Sequence, residues 1–501
     1  MIHNKIKFIL TFLLITAFGY ADWETIGGNS QRTSFLDVVG PESKYDILWE
    51  GSIPSDGGWP ILISGNKLIV NRKRDSAYSP IVCHDLFNGD TLWTLDFPGG
   101  YHSYSIPLGF RNNVVYASNW FGDLVNGDTL YAINAENGEI IWRSNVFILG
   151  DYDLGAVFSE KGDLILSTPD SVTRINHLNG RRIWCIKRSV PVVSSYNGLT
   201  VFKDKIYGWF LGPLNTLQII SISIDNGDIK DCIDIPSTNP PVSLLTGPLI
   251  SVDDNGIIYA LRAEDNLVAI KDNNDKLSIL WNIPIRNGGD TNPALGPEGS
   301  IYFINHNKIM RANTENGKII DSSITVNADT SKYLNGYFAI DGKGTVFFNN
   351  HNYDYGKLYS FSENLELNWT DHIKGIGHGG PALSKHGLLA IAGADNFLRV
   401  YKPVNLKSNN LSMHYKNTTV SCSVFPQCIA FNYYVKYNSN VRLLLYNSKG
   451  QEIYNLTNLP NTPGFNTMKI TNSNFNFCNG IYLLKLNIGA ETKTGTFTII
   501  K

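Results

Sequence analysis

Between Ile47 and Tyr401 the chain alternates apolar and polar residues in short runs, and the runs recur in a constant order. Ile61–Ile63 and Leu68–Val70 flank Gly65, and similar apolar runs flank Asn113, Gly162, Asp204, Gly256, Gly299, Gly344 and Gly387. Period-two alternation over a few residues marks a half-buried strand, and a turn residue between two such runs predicts a hairpin. A second turn series follows: Asn88-Gly89, Asn137-Gly138, Asn179-Gly180, Asn226-Gly227 and Asn316-Gly317, with looser copies at Asn273-Asn274-Asp275 and Asn364-Leu365. Asn-Gly accepts the positive φ of a two-residue hairpin turn, so each copy predicts strand, tight turn, strand. Four residues after each glycine stands Trp93, Trp142, Trp184, Asp231 or Asp321, while Trp281 and Trp369 mark the looser copies. Trp49, in Asp46-Ile47-Leu48-Trp49, has no hairpin before it.

These markers recur every 40–50 residues, and each interval holds two hairpins. Four strands at that period make a propeller blade, whose apolar faces are buried by its neighbours. The last repeat, Pro381 to Pro403, supplies only three strands, and Trp49 lies in a fourth strand without a first three. Joining them completes the ring. The chain is therefore predicted to be all-β, with an eight-bladed β-propeller over residues 22–403.

The run Leu130-Tyr131-Ala132-Ile133-Asn134-Ala135-Glu136-Asn137-Gly138-Glu139-Ile140-Ile141-Trp142 resembles the repeat of the PQQ-like (quinoprotein-like) propellers. So does the opening Asp22-Trp23 with Gly28-Asn29-Ser30-Gln31-Arg32-Thr33. The resemblance implies that Trp49, Trp93, Trp142, Trp184, Trp281 and Trp369 dock each blade on the next. Asp231 and Asp321 depart from it, so blades 4 and 6 are expected to dock differently.

Residues 404–418 are polar and read as a linker. Residues 419–501 return to short alternating strands and predict a small Ig-like β-sandwich. Val441 to Ile453, Gly480 to Leu486 and Thr496 to Lys501 resemble the type A C-terminal sorting domain of type IX secretion cargo in Bacteroidota. Pro426-Gln427-Cys428 stands where that pattern has Asn-Pro. The resemblance implies transfer through the type IX machinery to the cell surface or medium. At the other end, Lys5 and Lys7, the apolar run Phe8 to Phe18 and Gly19-Tyr20-Ala21 read as a signal peptide over 1–21. An exported chain with no integral membrane segment after signal removal is expected.

Composition narrows the chemistry. Charged residues are only 17% and the net charge is −2, so a disordered polyelectrolyte is excluded. No basic field points to nucleic acid, and no basic run points to a lipid surface. Of six cysteines, Cys83, Cys185 and Cys232 read as buried or edge-strand residues. One disulfide is expected among Cys422, Cys428 and Cys478, the pairing left open.

No catalytic motif stands in the sequence at its required spacing and context. Gly375 to Gly380 matches GxGxxG, but strand Pro381-Ala382-Leu383 follows where a dinucleotide site needs a helix. Asp85, Asp90, Asp123 and Asp128 read as turn residues rather than metal ligands. The segments leading into each blade's first strand converge on one channel mouth and carry Trp59, His102, Tyr104, Asp151, Tyr152, Asp290, Asn292, Asn335 and His378. These form a candidate ligand-binding funnel; no catalytic, cofactor or metal residue is assigned, and no cofactor is expected. The expected function is a non-catalytic propeller that binds or scaffolds an extracellular protein or glycan. The alternatives are a glycan-cleaving enzyme using Asp151, Asp153 and Asp290, and a PQQ- and calcium-dependent dehydrogenase. The family's cofactor-bearing members imply an adjacent Cys pair that this chain lacks.

Overall fold

The computed structural model describes residues 22–51, 60–72, 78–97, 103–120, 129–144, 146, 155–168, 170–188, 198–212, 216–236, 250–262, 265–286, 291–326, 336–350, 356–373, 380–393 and 397–404 of the first unit. In the second it describes 421–424, 428–435, 440–447, 449–457, 464–471, 480–488 and 491–499. The chain divides into two compact units, 1–404 and 405–501.

The first unit is a ring of antiparallel sheets, each running from an inner to an outer strand. Blade 1 runs Leu62–Ser64, Lys67–Asn71, Ile81–Asp85, Thr91–Leu95. Blades 2 to 7 repeat the meander, with inner strands Ser103–Arg111, Val157–Phe158, Thr200–Phe202, Ile250–Val252, Ala294–Gly296 and Gly336–Asp341. Blade 8 takes Ala382–Leu383, Leu389–Gly393 and Phe397–Tyr401 from the chain's later part and its outer strand, Ile47–Gly51, from the start. Trp49 pairs with Val400, and the Lys402 N–H reaches the Asp46 carbonyl at 2.8 Å. The eight-bladed, self-fastened ring read from the sequence is thus the observed fold.

The cores lie between blades. Ile69, Cys83 and Trp93 of blade 1 pack on Phe110, Ala117 and Tyr131 of blade 2. Outer strands face solvent and stay half-exposed; Cys185 and Cys232 are exposed on two of them.

The Asn-Gly turns differ from the two-residue form expected. Only the glycine takes positive φ: +79° at Gly89, +75° at Gly138, +68° at Gly180, +79° at Gly227 and +70° at Gly317. A two-residue type I′ turn needs positive φ at both central positions. Instead, the Gly89 N–H closes on the Asp85 carbonyl at 2.9 Å, and Asn88 Oδ1 accepts the Asp90 N–H. The asparagine is therefore a side-chain turn former. The longer loop is absorbed by a register shift between Cys83 and His84.

The second unit holds two sheets. One orders Ser421–Val424, Cys428–Val435 and Gly464–Thr471; the other orders Glu452–Leu456, Val441–Tyr446, Gly480–Ile488 and Glu491–Ile499. Val441, Leu443, Leu445, Leu484 and Leu486 are buried, while Arg442 and Leu483 are exposed. That is the period-two pattern of a sheet with one face inward, interrupted at Leu444, which is buried on the other face. Cys478 lies outside the described residues. Among the described residues no helix is long and apolar enough to cross a membrane.

Candidate functional site

Residues 22–40 precede the first blade and form a strap around the axis. The strap makes one circuit, meeting the blades in their own order. Asp22 Oδ2 accepts the Lys385 N–H of blade 8 at 3.1 Å. Trp23 exchanges both backbone hydrogen bonds with Ile63 of blade 1. The Glu24 carbonyl takes the Phe110 N–H of blade 2. Ser30 serves two blades: its Oγ accepts from the Phe158 N–H at 3.0 Å and its carbonyl from the Val201 N–H at 2.8 Å. Gln31 and Thr33 accept from Val252 and Leu295 of blades 5 and 6. Phe35–Leu36 then pairs in parallel with blade 7, adding a fifth strand to its inner edge.

Each contact falls where an inner strand ends at its first turn, beside Ser64, Arg111, Phe202 or Asp341. In an antiparallel meander the first and third turns share one face, so the strap seals the mouth on the Asn-Gly side. The backbone must coil tightly to do this. Gly27 and Gly28 sit at φ +77° and +88°, and Arg32 and Ser34 take positive φ as well.

Arg32 lies at the centre of the seal, fully buried. Its guanidinium donates to three backbone carbonyls: Leu199 at 2.6 Å, Ile26 at 2.7 Å and Gly155 at 3.2 Å. Burial pulls its pKa down to about 9, with Tyr337 and Glu24 opposing. Glu24 is buried too; burial raises its carboxyl, although Arg111 stands 3.6 Å away and Ser30 donates from both N–H and Oγ. Buried charges are tolerated only when hydrogen-bonded in this way.

Blade-to-blade docking forms the second part of the frame. Trp49 Nε1 donates to the Leu86 carbonyl, Trp93 to Ala135, Trp142 to His177, Trp184 to Ile224 and Trp281 to Thr314, all at 2.8–3.0 Å. Each indole lies over the next blade's turn glycine. A Cβ at Gly89, Gly138, Gly180, Gly227 or Gly317 would stand 2.6–3.1 Å from the ring. The glycine is therefore required twice, by its φ and by the indole.

Blades 4, 6 and 7 use polar contacts. Asp231 Oδ2 accepts the Leu277 N–H at 2.6 Å, reversing the donor direction, and Lys205 bridges Asp272 and Asp275 of blade 5 at 2.7 Å each. Arg311 of blade 6 binds Glu363 of blade 7 at 2.6 Å and stands 3.6 Å from Asp321. Trp369 finds no carbonyl because blade 8 lacks a third turn; its Nε1 is buried without an acceptor and its ring leans on Tyr401 at 5.6 Å. Asp371 accepts from Arg399 and Tyr401 instead. At blade 3, Asp163 takes His177 Nδ1 at 2.8 Å and Arg174 at 2.7 Å, while Arg174 also donates to the Ile224 carbonyl at 2.6 Å. Burial works to raise the Asp163 carboxyl, and those partners outweigh it and hold it low.

Among the funnel candidates, Trp59, His102, Asp151, Tyr152, Asp290, Asn335 and His378 lie outside the described residues, as does Asp153. Tyr104 lies on blade 2's inner strand, paired with Trp120. Asn292 is buried, and its Nδ2 donates to Ser34 Oγ at 2.6 Å. It anchors the strap and is not an open funnel residue. Beside the strap, Trp23, Ile26, Gly27, Pro60, Ile61, Tyr337, Phe338, Gly380 and Pro381 line a cavity of about 10 Å³, the size of one water site. Sequence reasoning missed Arg32 and Ser30 as keystones; the Gly27-Gly28 pair before a polar run was the available signal.

Strap, ring closure and tryptophan docking define a PQQ-like eight-bladed propeller. The family model for "Outer membrane protein assembly factor BamB" matches residues 48–323, and the chain belongs to that family. The fold is similar to BamB from Moraxella catarrhalis, at 12% identity and TM-score 0.51, covering 72% of this chain and 98% of that one. It is also similar to quinohemoprotein alcohol dehydrogenase from Comamonas testosteroni (12%, TM-score 0.53, 76% and 80%) and to a europium-containing methanol dehydrogenase (11%, TM-score 0.55, 74% and 89%). At such identities the likeness is one of fold. No curated protein matches the chain.

Proposed function

We propose that this chain is a non-catalytic scaffold propeller that binds an extracellular protein or glycan. The observation that carries the reading is the strap. One mouth of the channel is sealed by the chain's own N-terminal segment, bonded to every blade, and the guanidinium on the axis is spent on backbone carbonyls. That construction makes a rigid ring for display. The family name, an assembly factor, supports a role in protein contacts.

The residues present do not fit a quinone cofactor. Cys83, Cys185 and Cys232 lie on three different blades, no two cysteines are adjacent in sequence, and Arg32 is already engaged. The N-terminal signal pattern and the C-terminal two-sheet unit support export through the type IX route to the cell surface or medium.

Two experiments test this reading. The full chain is probed against glycan arrays and cross-linked to surface extracts, beside a PQQ-and-calcium titration with dye reduction. Saturable capture of a glycan or surface protein supports the scaffold; dye reduction, or no capture at all, overturns it. Deleting residues 420–501 is expected to trap the protein in the periplasm, and normal surface delivery of that deletion would remove the sorting role.

A further inference from the structure

The near-zero net charge of the chain conceals a division between its units. Residues 405–501 hold nine Lys and Arg against two acids, Glu452 and Glu491, a net charge of +7. Residues 22–404 hold 31 basic and 42 acidic residues, a net charge of −11. The second unit holds no basic run, and its excess of single lysines is visible only when the units are summed separately.

Three features narrow what that field is for. Eight of the nine cations are lysine. Lysine is a compact point charge on a flexible stem, suited to a diffuse anionic surface, whereas a bidentate site for one carboxylate or phosphate favours arginine. The cations are spread along the sequence from Lys407 to Lys501 and do not form one run, and of the described ones Arg442 and Lys449 are exposed. Finally, the outward face of the Val441–Tyr446 and Gly480–Ile488 pair mixes charge with apolar surface. Arg442 is exposed, Lys485 half-buried, and Leu483 exposed at 41%. Lys485 stands opposite Leu444, and Leu483 opposite Tyr446. An apolar side chain two residues from Lys485 on one strand face matches the boundary between phosphate headgroups and acyl chains.

We propose that the C-terminal unit docks on an anionic lipid surface through its basic side chains, Arg442, Lys449 and Lys485 among them. The proposal deepens the export reading above, by naming the chemistry the exported unit meets. It stands on unit charge alone and is tested separately from sorting.

The full chain lacking residues 1–21 is sedimented with phosphatidylcholine vesicles, with and without a phosphatidylglycerol fraction, over a salt series. Binding to the anionic vesicles only, lost at high salt, is expected. Lys449→Gln and Lys485→Gln should each weaken partitioning about fivefold, and Leu483→Ser should weaken it at unchanged salt slope. Equal binding to both vesicles, no binding to either, or partitioning unmoved by the lysine variants overturns the proposal. If inorganic polyphosphate binds while vesicles do not, the partner is a soluble polyanion and the lipid proposal falls. Sorting is read independently from the 420–501 deletion, so trapping of that deletion with no vesicle binding would leave the export reading intact.

Discussion

Replacing Gly180 by alanine should destabilise the propeller far more than the same change at Gly65, although both glycines have nearly the same backbone. Gly65 sits at φ +62° and Gly180 at φ +68°, so each alanine meets a left-handed strain of about 1 kcal/mol. Their surroundings differ. A Cβ at Gly65 meets only the tip of Lys385, at 3.9 Å. A Cβ at Gly180 would stand 2.6 Å from Trp142 Cε3 and 2.8 Å from Cζ3. The indole must lift, which puts its 2.9 Å bond to the His177 carbonyl at risk, worth about 1 kcal/mol, with overpacking of about 1–3 kcal/mol in addition. Gly180→Ala should then cost about 3–5 kcal/mol and Gly65→Ala about 1 kcal/mol. Urea midpoints of the full chain, read by tryptophan fluorescence, give the difference directly; amide and indole hydrogen exchange locates it at the blade 2–blade 3 contact. Equal losses in the two variants would show that backbone strain alone explains the glycine, and the docking argument would fail.

Other expectations follow from the same contacts. Trp369→Phe and Trp93→Phe both trim a buried ring, but only Trp93→Phe also forfeits a bond, to Ala135, so it should cost about 1 kcal/mol more in urea. Arg32→Met leaves the Leu199, Ile26 and Gly155 carbonyls without their donor; a loss above about 3 kcal/mol and rapid proteolysis near residue 32 are expected, and a protease-resistant variant would contradict the keystone role. Burial pushes the His84 imidazole down to about 4. Its unfolded form binds a proton near 6.5, so this contribution is complete above that pH and is lost as pH falls toward 4, about 3 kcal/mol in all. His84→Phe should flatten stability between pH 6.5 and 4, and an unchanged slope would exclude His84 as its source.

Much of this architecture was legible because it repeats. Trp93, Trp142 and Trp184 stand four residues after turn glycines, and eight copies in register leave little freedom for the fold. The missing first three strands before Trp49 disclosed ring closure by subtraction. The turn type was misread because Asn-Gly favours two positive φ angles in isolation; here Asp85 and Asn88 satisfy the loop through their own side chains. The strap was illegible for a different reason. Its residues bond to eight separate blades in turn, so no alternation runs along it. Asn292 looked like a funnel residue from its place before an inner strand, but its partner, Ser34, lies far away in sequence. The charge division stayed hidden because a sum over the whole chain cancels it.

The closing strand also sets a schedule. Glu50 meets Arg399 across 349 residues of chain. During synthesis at 5–20 residues per second, Ile47–Gly51 waits roughly 20–70 s for its neighbour to exist. The strap waits likewise, since its seats are made one blade at a time. The segment made first is thus placed last, and the ring stays an open arc until its final blade is complete. Open arcs expose two unpaired blade faces, the state in which such a chain is most prone to join another copy in place of itself.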